Sequence, residues 1–147
     1  MCIRDRDEKM ALFRSPIIIA MFCIVIAVAL TTPGCGMFPS KDGIIGQVVE
    51  TGNSYRSEMV TPTGKFSDYR VYREAVSDVV VFEHKMKPGL VFDKAMARSD
   101  QLKTDLVAQL DTPASRSALE SGIDFVFLYA DANGNTICRH VISNDDI

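Results

Sequence analysis

The chain has 147 residues and a formal net charge of −3, from 16 basic and 19 acidic side chains. The two signs are mixed along it with no basic stripe, which argues against nucleic acid and against polybasic docking to anionic lipid. Hydrophobic residues make up 47%, and with no internal repeat or low-complexity tract this is the composition of one small packed domain plus a terminal extension.

Residues 1–9 (MCIRDRDEK) are foreign in character to the rest of the chain and resemble a translated sequencing-adapter artefact, so Met10 is the expected start. Ile17–Leu30 is an unbroken apolar run, preceded by Lys9 and Arg14 and followed by Thr-Thr-Pro-Gly-Cys. A membrane span needs about 20 apolar residues and an export-signal core about 7–15, so the run has the length of a signal. Gly34-Cys35-Gly36 at its end resembles the lipobox of bacterial lipoproteins, although Thr32 stands where Leu is usual and Pro33 where a small residue is usual. The resemblance implies a signal peptide over 10–34, cleavage before Cys35, and lipid on Cys35 as the membrane partner. An uncleaved single-pass anchor is the alternative. Gly36, in place of Asp, resembles the sorting class that faces the periplasm from the outer membrane. Of the four cysteines, Cys2 and Cys23 precede the cleavage point and Cys35 would carry lipid, leaving Cys138 with no partner for an intrachain disulfide.

Residues 35–43 read as a lipid-anchored linker and 44–147 as a single domain. Ile44–Glu50 (IIGQVVE) is β-branched and runs into Thr51-Gly52-Asn53, which predicts a strand and a turn. Tyr55–Val60 is ambiguous, and Thr61–Gly64 is a second break. Phe66–Glu74 alternates, with Tyr69 and Val71 on one face and Arg70 and Tyr72 on the other, which predicts a strand. Val76–Glu83 reads as a strand buried on both faces, ended by Lys87-Pro88-Gly89.

Asp93 offers an N-cap for a helix over Lys94–Leu110, whose apolar positions Met96, Leu102, Leu106 and Leu110 recur mostly every four residues. Thr112-Pro113 opens a second, short helix to Glu120, stopped by Gly122. Ile123–Ala130 and Thr136–Ile142 are predicted strands joined across Asp131–Asn135, whose Asn-Gly is a hairpin signal. The expected fold is α+β: a small antiparallel sheet packed by one long and one short helix, in the order strands, helix, helix, hairpin.

Few residues invite chemistry. Asp131, Asn133 and Asn135 have the spacing of a calcium loop, but Thr136 stands where that loop needs Gly and Ile142 where it needs a bidentate Glu, so a plain hairpin turn is expected. Cys138 and His140 share a strand face as a thiol–imidazole pair would, with no third group to orient the histidine. Cysteine more often packs as a small hydrophobe. His84, beside Glu83 and Lys85, lacks companions for a metal site and reads as a solvated strand end. No metal, cofactor or enzymatic activity is expected. Phe125, Phe127 and Tyr129 lie on one face of their strand, with Val126 and Leu128 on the other. Such a strand is either covered on both sides or leaves one face for a partner.

From Leu106 onward the pattern of a strand, a long helix, Pro113, Arg116, Leu119, Gly122-Ile123, then Tyr129, Gly134 and Ile137 in a closing hairpin resembles the α+β pilot lipoproteins (pilotins) of type II secretion systems. That family joins the long helix to the C-terminus by a disulfide at positions that align with Leu110 and Ile147 here, a departure in which an apolar pair would replace the bridge. The resemblance implies a lipid-anchored envelope protein that binds a secretin subunit without catalysis. The groove between long helix and sheet, or an open sheet edge, would be the contact. Met96, Leu102, Leu106, Phe125, Phe127 and Tyr129 are the groove-facing candidates. A structural envelope lipoprotein with no assembly role is the second expectation, and a thiol enzyme using Cys138 and His140 the third.

Overall fold

The computed structural model describes residues 40–75, 77–90 and 100–147. The described residues open with a helix where a strand over Ile44–Glu50 is expected. Helix α1 spans Lys41–Ser54, with Ser40 as N-cap accepting from the Gly43 amide at 3.2 Å and Asp42 in the first turn. Lys41–Gly43, read as linker, is therefore its first turn. Ile44, Ile45, Val48 and Gly52 are buried along one stripe of it. Packing of that stripe outweighs the β preference of Ile and Val, which is a weak prior. A single turn, α2 (Arg56–Met59), follows.

Strand β1 (Phe66–Arg73) pairs antiparallel with β2 (Val79–Met86), close to the predicted pair. Val80, Val81 and Phe82 are buried in succession, as a strand covered on both faces requires. Helix α3 is described over Asp100–Leu110 and buries Leu102, Leu106 and Leu110. The rest of the long predicted helix, with its Asp93 cap and Met96, lies outside the described residues, as do Cys35 and the signal segment.

Helix α4 (Pro113–Glu120) forms as expected: the Thr112 hydroxyl accepts from the Ser115 amide at 3.2 Å, and Pro113 opens the first turn. Gly122, at φ +79°, ends it in the left-handed region. Strands β3 (Asp124–Ala130) and β4 (Thr136–Ile142) close the chain as a hairpin, and a 3₁₀ turn spans Asn144–Asp146.

The four strands form one sheet in the order β1-β2-β3-β4. It is mixed, not antiparallel, because β2 and β3 run parallel, from Val79 opposite Asp124 to Lys85 opposite Ala130. Parallel neighbours need a long crossover, which the segment carrying α3 and α4 supplies. The architecture is α+β; among the described residues the order is helix, helix, strand, strand, helix, helix, strand, strand in place of the expected strands, helix, helix, hairpin.

Tyr69, Val71, Val80, Phe82, His84, Phe125, Phe127 and Tyr129 share one sheet face by register. Apolar residues from α1 to α4 join this face in a single core, with Ile147 packed against it and Leu110 within it. On the opposite face Val81 and Val126 are also buried, at 2% and 1% exposure. Above them Arg70 forms a two-pronged pair with Glu83 at 2.8 and 3.0 Å and lies 5.4 Å from the Tyr72 ring.

Candidate functional site

Five of the six groove-facing candidates come together, but inside the core; the sixth, Met96, lies outside the described residues. Leu102, Leu106, Phe125, Phe127 and Tyr129 are all between 0% and 7% exposed. Phe127 stacks on Phe82 at 5.3 Å, and Phe125 packs at a tilt against the same ring at 6.0 Å. The space between α3 and the sheet is thus filled by the side chains that were candidates to line it. The sequence shows that these residues share a face; only the helices laid over that face show that it is closed.

One rung of the sheet carries an unexpected row. Tyr69, His84, Tyr129 and Cys138 stand opposite one another across all four strands. The His84 ring stacks on Tyr129 at 4.9 Å and 16°, and meets Tyr69 and Phe66 at 5.1 Å each. His84 is 1% exposed, so the solvated strand end expected for it is wrong. Burial lowers its pKa from 6.5 to about 4, outweighing hydrogen bonding to the backbone of Phe82 and Leu128, which favours the charged form. At neutral pH it is an uncharged imidazole. Burial likewise pushes the Tyr69 and Tyr129 phenols upward, with the neighbouring Cys138 adding to the effect on Tyr129. Such a row can order the sheet through ring contacts, and all four of its residues are buried.

Cys138 and His140 do face the same side, with Cys138 opposite Tyr129 and His140 opposite Phe127. Two residues along a strand are about 6.5 Å apart at the backbone. Cys138 is 7% exposed and part of the core. The register shift between Tyr129 and Ala130 places one extra residue in β4. That bulge lets Ile137 and Cys138 be buried in succession.

The hairpin carboxylate is spent on its own turn. Asp131 Oδ1 accepts from the Asn133 and Asn135 amides at 2.8 and 2.9 Å, and Oδ2 accepts from Asn135 Nδ2 at 2.9 Å. These bonds, that from the Asn135 side chain above all, hold its carboxyl below the usual range. With Gly134 at φ +88°, this is turn chemistry and not a cation cage. Among the described residues no group of three or more His, Cys, Asp or Glu side chains could hold a metal ion. An open cleft of about 290 Å³ lies beside this turn, lined by Met86, Gly89, Leu90, Asn133 and Thr136 among others.

The sheet edge at β1, a candidate for strand addition, is occupied by side chains. The Asn53 carboxamide donates from Nδ2 to Val71 O at 2.7 Å and accepts from Val71 N at Oδ1, 2.9 Å. The Tyr69 amide donates to Asp68 Oδ1 at 2.9 Å, and Arg56 pairs with that same carboxylate oxygen at 2.7 Å. By sequence Asn53 is only a turn residue; no local pattern links it to Val71, eighteen positions away.

Comparison with known proteins finds no matching family model, no matching curated protein and no matching solved structure. Among the described residues no helix is long and apolar enough to cross a membrane.

Proposed function

We propose that the chain is a lipid-anchored envelope protein that binds another protein without catalysis, in the manner of the pilot lipoproteins it resembles. The observation that carries the reading is the apolar run Ile17–Leu30 ending at Gly34-Cys35-Gly36. The order β2, α3, α4, β3, β4, with Pro113 opening α4 and a closing hairpin, supports it at the level of architecture. The residues behind the resemblance have folding roles. Leu119, Ile123 and Tyr129 pack in the core, Arg116 pairs with Asp111 at 2.6 Å, and Gly122 and Gly134 make turns. The likeness therefore speaks for a scaffold, and its functional content is carried by analogy.

A second reading, a structural envelope lipoprotein with no assembly role, gains from the filled space between α3 and the sheet. The two separate by capture of the tagged, lipidated chain from its native envelope. The pilot reading expects a secretin subunit in stoichiometric amount. Capture with no stoichiometric partner favours the structural reading. Charged variants at Leu106 or Phe127 do not serve here, because both residues are core and their loss would report unfolding.

A further inference from the structure

We propose that Asn53 is an edge plug: its carboxamide occupies the backbone groups through which β1 would otherwise pair with β1 of a second copy of this chain. β1 is an outer strand of the sheet, and an unpaired strand edge is a template for another strand. Val71 is where such pairing would centre. Both its N–H and its C=O go to one partner residue, the bond pair that opposed residues exchange in an antiparallel ladder. Asn53 supplies the same donor and acceptor from a side chain, at 2.7 and 2.9 Å. A third bond, from Nδ2 to Val49 O at 2.9 Å, fixes the amide against its own helix.

The preceding residue makes this possible. A Cβ on Gly52 would stand 2.6 Å from Val71 Cγ2, so only glycine lets the end of α1 come down onto β1. Gly52 and Asn53 act as a pair, one permitting the approach and the other using it. The next outward amide along the edge, that of Tyr69, is also satisfied by a side chain, Asp68.

The occupant kept out is a second β1. With two copies antiparallel about Val71, that residue meets itself and Arg70 stands opposite Tyr72 of the copy. The same two residue types already sit 5.4 Å apart within one chain.

The test compares the full chain in detergent micelles with Asn53→Ala and Gly52→Ala, reading mass by light scattering and fold by circular dichroism. Asn53→Ala unplugs the edge directly, and Gly52→Ala lifts the plug while leaving Asn53 in place. The expected result is a monomeric parent and folded variants that shift to dimers or larger edge-paired species. Folded variants that stay monomeric overturn the proposal. Should neither variant fold, hydrogen exchange in the parent decides. A Val71 amide protected like that of Phe82 supports the plug, and one exchanging as fast as the loop amide of Ala132 overturns it.

Discussion

Acidification should destabilise this protein through one residue, His84, before Asp78, Asp111, Asp131 and Asp146 lose their charge. In the unfolded chain the imidazole takes up a proton near its ordinary value of 6.5, whereas in the fold it resists until about 4. The unfolded state therefore binds more protons throughout that interval. The stability that His84 contributes is complete above pH 6.5, is lost as pH falls from 6.5 to 4, and changes no further below. At ~1.4 kcal/mol per tenfold change in proton affinity, the full effect is on the order of 3 kcal/mol, most of it between pH 7.5 and 4.5. That is a large part of the ~5–15 kcal/mol that holds a typical domain. The neighbouring phenols of Tyr69 and Tyr129 stay neutral over this range, since burial moves both upward. Asp78, Asp111, Asp131 and Asp146, each held below the ordinary 3.8, lose their contributions only at lower pH. Urea unfolding at pH 7.5 and 4.5, for the parent and for His84→Phe, isolates the effect. Phe keeps a ring against Phe66, Tyr69 and Tyr129 but has no proton to gain. The parent should lose roughly 2–3 kcal/mol more than the variant over this interval. Equal losses in the two proteins would refute the reasoning, because the pH dependence would then belong to other groups.

Thr112→Ala removes the hydroxyl that accepts from the Ser115 amide and should cost about 1 kcal/mol in urea unfolding, with the fold unchanged. Gly122→Ala forces a Cβ onto a residue at φ +79° and should cost about 1–2 kcal/mol; no loss would mean that the turn relaxes freely. Cys138, in a chain whose other cysteines are replaced, should react with a thiol reagent only as fast as the protein unfolds. Rapid labelling in the native state would show that the β4 face opens.

The elements legible in the sequence have local causes. Alternation marks β1, the valine run marks β2, Asn133-Gly134 marks the closing hairpin, and Thr112-Pro113 with Gly122 brackets α4. Each signal is set by backbone preferences within a few residues. Helix α1 escapes such a reading because Ile44, Ile45, Val48 and Val49 suit a strand by propensity. The competing signals, a Ser40 cap and apolar residues at helical spacing, are present but weaker to the eye. The parallel pairing of β2 and β3 leaves no mark on either strand alone; it comes from the crossover between them. The groove candidates illustrate the same limit. Phe125, Phe127 and Tyr129 share a face by simple alternation, but whether that face is open depends on helices placed from elsewhere in the chain. The fate of His84 is hidden likewise, since its burial comes from Tyr69 and Tyr129 on the flanking strands.

Lipid on Cys35 is the claim on which the functional account turns, and feeding cells an alkyne-bearing palmitate analogue tests it directly. The account predicts label on the parent chain, none on Cys35→Ser, and loss of that variant from the outer-membrane fraction. An unlabelled parent that stays in the membrane at its full, uncleaved mass would contradict it and leave Ile17–Leu30 as a plain anchor.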